Sequence, residues 1–92
     1  MNCYLISYDL GVPETSEEYK KVINYIKGYK TWAKPLYSLF FIKTNKTVAT
    51  VRDELQKLTD SNDKILVINV TGEGWATARI DARITDWMKE NI

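Results

Sequence analysis

The sequence predicts a single α+β domain in which one β-sheet packs against helices. Its 92 residues are enough for one hydrophobic core and too few for two, and 45% of them are hydrophobic. Apolar runs of strand length alternate with amphipathic helix patterns in the order strand, helix, strand, strand, helix, strand. This order is the ferredoxin-like split βαβ arrangement (β-α-β-β-α-β), and an additional C-terminal helix pattern follows it. We therefore expect one domain over residues 1–92, with a core of about 1–72 and a tail helix of about 78–91.

The first strand is predicted over residues 3–9, where the side chains alternate between two faces. One face consists of Cys3, Leu5, Ser7 and Asp9, and the other of Tyr4, Ile6 and Tyr8. Because both faces are largely apolar, the strand should lie in the interior of the sheet. Gly11 and Pro13 are expected to end it.

A helix should follow, beginning near Thr15 and ending near Gly28. Glu18 lies three residues after Thr15, which is the spacing of a capping box. Glycine is favoured just beyond the C-terminus of a helix, which suits Gly28. The apolar stripe that would face the core consists of Tyr19, Val22, Ile23 and Ile26.

Two paired strands are expected between Thr31 and Thr44, with Pro35 marking a break or an edge position between them. Thr47 can cap a second helix, because threonine accepts hydrogen bonds from the first free amides of a helix. The residues of this helix that are expected to be buried are Val48, Val51, Leu55 and Leu58.

The last strand and the tail helix complete the pattern. The run from Lys64 to Thr71 is rich in β-branched residues, which favour strands. In the tail, one helix face carries Ile80, Ile84, Trp87 and Met88. Two helices on one face of a sheet leave the other face uncovered, so we expect either that the tail packs over it or that the protein is a homodimer.

Composition excludes several kinds of catalysis. The sequence has no histidine and one cysteine, Cys3, so it cannot form a Ser-His or Cys-His pair or a tetrahedral zinc shell. Chemistry must come from carboxylates, hydroxyls, lysines, or a hard metal such as magnesium held by oxygen. A lone free cysteine and the lack of a long apolar run also predict a cytoplasmic protein without contact to a membrane.

The charges are segregated along the chain although the net charge is only +1. Seven lysines and no acidic residue lie between Lys20 and Lys46. Such segregation can create one positive face for contact with RNA or DNA phosphates, and the alternative is an ordinary solvated surface. The candidate nucleic-acid-binding residues are Lys20, Lys27, Lys30, Lys34, Lys43 and Lys46.

Asp9 is the main candidate for a functional acid, because it comes at the tip of a rigid strand beside a turn. Two copies of Asp9 across a twofold axis could share one hard cation. In the alternative interpretation, Asp9 accepts hydrogen bonds from amides of the turn over residues 11–15, as aspartates in turns commonly do. The residues alone leave both interpretations open.

Three segments carry a resemblance to a known family: "YDL" at the end of the first strand, "YSLF" in the third strand and "VRDELQKLTDSNDKILVINVTG". They resemble the SinR-like small proteins, which belong with virulence-associated protein D and the small CRISPR-associated endoribonuclease of spacer acquisition. The resemblance implies a ferredoxin-like homodimer in which one strand-tip acid per subunit holds magnesium for phosphodiester cleavage. Carried over, this acid is Asp9, preceded by Tyr8, and Ser38 and Phe40 match the serine and aromatic positions of the strand motif. The arginines that the family has around the first helix are lysines here.

Two functions follow as hypotheses. In the first, the protein is a homodimeric, magnesium-dependent endoribonuclease in which Asp9 positions metal and water, Ser38 assists, and the lysines contact phosphates. In the second, it is a non-catalytic dimeric adaptor, or a nucleic-acid-binding or protein-binding module, that binds through strand edges or aromatic side chains. The aromatic residues that suit either base stacking or a dimer interface are Tyr4, Tyr8, Trp32, Tyr37, Phe40 and Phe41.

Overall fold

The computed structural model describes residues 1–92 as a four-stranded sheet with three helices. In chain order the elements are β1 (Asn2–Asp9), α1 (Glu17–Lys27), β2 (Trp32–Leu36), β3 (Leu39–Thr44), α2 (Val48–Gln56), β4 (Lys64–Asn69) and α3 (Ala82–Asn91). The sheet order is β2-β3-β1-β4, and all neighbouring strands are antiparallel. Strands β1 and β2 therefore run in the same direction with β3 between them, which confirms the predicted split βαβ fold.

The central strand β1 separates two hydrophobic layers. The larger layer lies between the sheet and helices α1 and α2, and the even-numbered side chains of β1 point into it. Its members that are at most 1% exposed are Ile6, Val22, Ile26, Phe40, Ile42, Val51 and Leu55. The smaller layer lies under α3 and contains buried Cys3, Phe41 and Met88. The predicted division of β1 into two apolar faces is confirmed.

Helix α3 packs over the second face of its own sheet. The indole of Trp87 stacks on the ring of Phe41, with ring centroids 6.1 Å apart. At the end of the helix, the Lys43 ammonium donates a hydrogen bond to the carbonyl of Asn91 at 3.0 Å. The helix begins at Ala82, later than the predicted start near residue 78. The Asp81 carboxylate caps it there, because it accepts a hydrogen bond from the Arg83 amide.

Strands β2 and β3 form a hairpin with an irregularity where Pro35 lies. The pairing register shifts between Ala33 and Leu36, because proline has no amide to donate to the ladder. Leu36 then pairs with Leu39, so residues 37 and 38 form the turn. Ser38, expected within the third strand, therefore lies in the turn that precedes it.

The two predicted N-terminal caps have different outcomes. Helix α2 is capped as expected, since the Thr47 side chain accepts a hydrogen bond from the Thr50 amide at 3.1 Å. The prediction of a capping box formed by Thr15 and Glu18 is wrong. Helix α1 has Ser16 at its N-cap without a side-chain hydrogen bond. The Glu18 carboxylate instead approaches the carboxylates of Asp60 and Asp63.

These two caps give a matched test of local stability. We expect Thr47→Ala to lower the free energy of unfolding by about 1 kcal/mol, because an orphan amide of α2 loses its acceptor. Ser16→Ala should not lower it, because the Ser16 hydroxyl is buried without a hydrogen-bond partner and its removal breaks no hydrogen bond. Urea denaturation of both variants and wild type measures the difference. Equal losses in the two variants would contradict this account of the caps.

Candidate nucleic-acid site at the tip of the first strand

Asp9 is the last residue of β1 and is exposed. It pairs with Lys64, the first residue of β4, and is followed by buried Leu10, so its backbone is fixed on both sides. Its carboxylate takes part in none of the hydrogen bonds or ion pairs within the chain. In the turn that follows, the Gly11 amide donates to the Asp63 carboxylate at 2.8 Å and not to Asp9. The Asp9 carboxylate thus faces solvent from a rigid position.

A cluster of three carboxylates lies beside this tip. Glu18 from the first turn of α1 meets Asp60 and Asp63 from the turn before β4, and one ligand oxygen from each lies within 4.8 Å of the others. Asp63 anchors the cluster, because its two oxygens accept hydrogen bonds from the Gly11 and Asp60 amides. No pattern in the sequence indicates that Glu18 approaches this turn.

Within the cluster, the pKa of Glu18 is raised and the pKa of Asp63 is lowered. Hydrogen bonding to Asp60, followed by burial and hydrogen bonding to Asp63, raises the pKa of Glu18 to about 7. The amides of Gly11 and Asp60 hold the pKa of Asp63 below its usual range. One oxygen of Glu18 is shielded from solvent without a donor, since its neighbours are acids. A proton on Glu18, or a hard cation, would satisfy this arrangement.

This cluster predicts a pH dependence of stability. Because the folded-state pKa of Glu18 is about 7, above its ordinary value of 4.5, its stabilising contribution is fully present below about pH 4.5 and is lost as the pH rises through about 7. We expect Glu18→Gln to flatten the fall in the free energy of unfolding between these pH values. Glu17→Gln, an exposed neighbour outside the cluster, should retain the wild-type profile. Denaturation at several pH values tests this, and identical profiles for both variants would contradict it.

Ser38 lines a cavity on the other side of the sheet from Asp9. The cavity has a volume of about 190 Å³ and is also lined by Tyr8 and Lys34. Alternation along β1 directs Tyr8 toward α1 and Asp9 toward the opposite face, and Asp9 is not among the lining residues. The structure therefore brings Ser38 together with Tyr8 and Lys34. The Asp9 side chain lies at the same end of β1 but on the opposite face of the sheet.

The cavity is held by the core beneath it. The carbonyl of Ser38 accepts hydrogen bonds from the Tyr8 amide at 3.3 Å and from the Ser7 hydroxyl at 3.0 Å. Phe40, fully buried, stacks on Tyr8 with centroids 6.4 Å apart, and the Lys34 ammonium lies 5.5 Å from the centre of the Phe40 ring. Burial raises the pKa of Tyr8 to about 12, so its phenol remains a hydrogen-bond donor.

The six candidate lysines do not form one face. Lys20 pairs with Glu17, Lys27 lies over the ring of Trp32, and Lys34 is near Ser38. The remaining three line a separate cleft near Met1, and these are Lys30, Lys43 and Lys46. This cleft and Asp9 lie at opposite ends of β1, which has eight residues. At about 3.3 Å per residue, the two ends of the strand are roughly 23 Å apart. The positive charge is thus divided between the two ends of the sheet.

The fold and the exposed strand-tip acid define a small α+β protein of the ferredoxin-like class. The model of the family described as CRISPR associated protein Cas2 matches residues 1–78. The chain belongs to this CRISPR-associated family, and the narrower SinR-like assignment is not confirmed. A crystal structure of a hypothetical protein, TT1823, from Thermus thermophilus is similar in fold. It has a TM-score of 0.66 and 18% sequence identity over 87% of this chain and 94% of that chain.

Family membership fixes the kind of function at a coarse level. Proteins of this family are small CRISPR-associated endoribonucleases that are generally metal-dependent and are nucleic-acid-related dimers. All of α3 lies beyond the matched region. None of the three helices is long and apolar enough to cross a membrane.

Proposed function

We propose that this protein is a homodimeric, magnesium-dependent endoribonuclease whose cleavage site is built on the Asp9 carboxylates of two subunits. The observation that carries the proposal is the state of Asp9. Its side chain is exposed at the end of a rigid strand and has no intramolecular partner, while Asp63, and not Asp9, accepts the hydrogen bond from the Gly11 amide. A carboxylate held in this way is available for an external cation.

The residues at the tip suit magnesium in kind and number. Magnesium prefers oxygen ligands, keeps several waters and is commonly held by one or two carboxylates together with substrate phosphates. One Asp9 from each subunit supplies that number. A bound magnesium ion would activate a water and stabilise negative charge on the scissile phosphate.

The chain's own residues would position the RNA around this point. We assign Ser38 to a hydrogen bond with a substrate phosphate and not with Asp9, because Ser38 lines a cavity that Asp9 does not line. Lys34 supplies an ammonium group in the same cavity, which Glu14 also lines, and Tyr8 and Phe40 support its wall. The other lysines would add contacts with phosphates that do not depend on base sequence.

A dimer would complete the uncovered part of the sheet. Helix α3 covers β2 and β3, but on the same face Leu66 is 52% and Ile68 is 43% exposed. These side chains belong to β4, an edge strand with one free row of backbone hydrogen-bonding groups. A second copy of the chain on this surface would bury both features and bring two β1–β4 edges together.

The thiol of Cys3 suits a reducing cytoplasm as the place of action. It is fully buried under α3, and burial raises its pKa to about 11. A buried thiol that stays protonated behaves as a small hydrophobic group.

The proposal is tested by incubating the purified protein with labelled RNA in magnesium and in a chelator, for wild type and Asp9→Ala. We expect cleavage by wild type in magnesium alone and none by Asp9→Ala. Equal cleavage by both proteins would remove Asp9 from the mechanism. Lack of cleavage by wild type in magnesium would remove the activity.

A second function, a non-catalytic dimeric adaptor, is favoured by the exposed apolar side chains. Besides Leu66 and Ile68, these include Tyr37, and also Leu36 and Trp75, which line one cavity with the tail segment. Salt dependence distinguishes the two functions. An RNA-binding enzyme should lose affinity for RNA steeply as salt rises, whereas an adaptor should not be retained on RNA even at low salt.

A further inference from the structure

A cleft of about 460 Å³ lies at the opposite end of β1 from Asp9. It is formed by the end of α1, the loop that leads to β2 and the end of β3. Three lysines line it, Lys30, Lys43 and Lys46, and no carboxylate does. Its volume is in the range of small-molecule binding sites. The cleft is therefore large enough for a ligand of the size of a mononucleotide, with a positive lining.

The walls of the cleft are fixed by hydrogen bonds to the core. The Lys43 amide donates to the Thr31 carbonyl at 3.0 Å, which joins the end of β3 to the loop before β2. The Tyr4 hydroxyl donates to the Lys46 carbonyl at 2.6 Å, and the Lys46 amide donates to the Thr44 hydroxyl at 3.1 Å. Because these backbone positions are set before a ligand arrives, little ordering is needed on binding.

The charges in the cleft are incompletely neutralised. Lys30 has no intramolecular partner, whereas the Lys43 ammonium is directed to the carbonyl of Asn91 on the α3 face of the sheet. Only Lys46 has a carboxylate partner, Glu54, at 2.7 Å. The ammonium groups of Lys30 and Lys46 and the carboxylate of Glu54 leave a net charge of +1. Ammonium groups on flexible stems bind phosphate as point charges, and hydrogen bonds between charged groups are the stronger ones.

An aromatic wall stands beside these lysines. The rings of Tyr25 and Tyr29 pack edge to face with centroids 5.6 Å apart, and their hydroxyls lie 2.7 Å apart. Tyr25 also donates to Glu54, and burial with these hydrogen bonds raises the pKa of Tyr25, so its phenol stays neutral. Tyrosine rings at the edge of a charged groove can stack on a nucleobase.

We propose that this cleft binds a nucleotide through its phosphate, with Lys30 and Lys46 holding the phosphate and the Tyr29 ring beside the base. The nucleotide can be a free nucleoside monophosphate or the terminal nucleotide of a nucleic-acid chain, since both present the same groups. The cleft is a binding site separate from the Asp9 tip. Its occupancy does not depend on whether the protein cleaves RNA.

The test is a titration of the isotopically labelled full-length protein with a nucleoside 5′-monophosphate, followed by NMR. We expect the amide signals of Lys30, Thr31 and Asn45 to shift and those of Asp9 and Ser38 to stay. Lys30→Gln should weaken binding roughly tenfold or more, because a charge-assisted hydrogen bond is lost. Lys21→Gln removes the same charge from an exposed position of α1 outside the cleft and should leave binding unchanged. The nucleoside without phosphate should not bind.

Two further ligands identify the source of the phosphate. A 5′-phosphorylated oligonucleotide that binds more tightly than its 5′-hydroxyl form, with loss in Lys30→Gln, supports the terminal nucleotide of a chain. Equal binding of the two oligonucleotides, beside Lys30-dependent binding of the monophosphate, supports a free nucleotide. Equal affinities of Lys30→Gln and Lys21→Gln, binding of the unphosphorylated nucleoside, or signal shifts spread over all lysines would overturn the proposal.

Discussion

Replacing Asp9 by asparagine is expected to lower the magnesium-dependent cleavage rate by at least about 100-fold. Asparagine keeps the size and shape of the side chain but removes the negative charge that, in the proposed function, holds a hard cation. Because Asp9 is exposed and has no hydrogen-bond partner, the free energy of unfolding should change by less than about 0.5 kcal/mol. Loss of rate without loss of stability separates a metal-holding role from a structural one.

A matched control is Asp86→Asn in α3, which is also exposed and is remote from the tip. It makes the same change in net charge and should keep both the wild-type rate and the wild-type stability. Initial rates on labelled RNA over a range of magnesium concentrations, with urea denaturation of each protein, provide both measurements. Wild-type rates in Asp9→Asn, or a comparable loss in Asp86→Asn, would show that Asp9 does not hold the metal.

Phe40→Ala should cost about 3–5 kcal/mol of the free energy of unfolding, which is a large part of the stability of a domain of this size. Phe40 is fully buried in the main core and packs between Tyr8 and Trp32, with ring centroids at 6.4 Å and 5.9 Å. Truncation removes these aromatic contacts and leaves a cavity under the residues that line the Ser38 site. We expect most of the protein to be unfolded or near its unfolding midpoint at 37 °C.

Leu36→Ala provides the comparison within the same hairpin. Leu36 is 56% exposed, so its truncation should cost less than about 0.5 kcal/mol. Thermal and urea denaturation of both variants, together with a milder Phe40→Leu variant in case Phe40→Ala does not fold, measure the contrast. A loss below about 1 kcal/mol for Phe40→Ala would mean that the core does not depend on this aromatic stack.

The fold could be predicted from the sequence because its periodic patterns are strong. The alternation along β1 and the β-branched run of β4 identified both strands, and Thr47 identified the start of α2. Local errors arose where tertiary contacts override local preference. Glu18 has the spacing of a capping residue, but it is drawn toward acids that are more than 40 positions away in the chain.

The site was harder to predict, since a sequence shows which residues are present but not which ones meet. Asp9 could be placed at a strand tip by alternation alone. The separation of Ser38 from Asp9 depends on the turn between β2 and β3, whose register is altered at Pro35. The division of the lysines depends on the antiparallel return of β3, which carries Lys43 to the start of β1.

Strand β1 contributes to two buried layers and ends in Asp9, the proposed metal-holding acid, and this restricts how its length can vary. Side chains alternate with a period of two, so insertion or deletion of one residue upstream of Asp9 would exchange the two faces. Asp9 would then point toward α1, where Tyr8 now packs, and Tyr8 would point outward. Changes of two residues keep the faces but move the tip by about 7 Å. Among related chains, the spacing within this strand should therefore vary only in even steps.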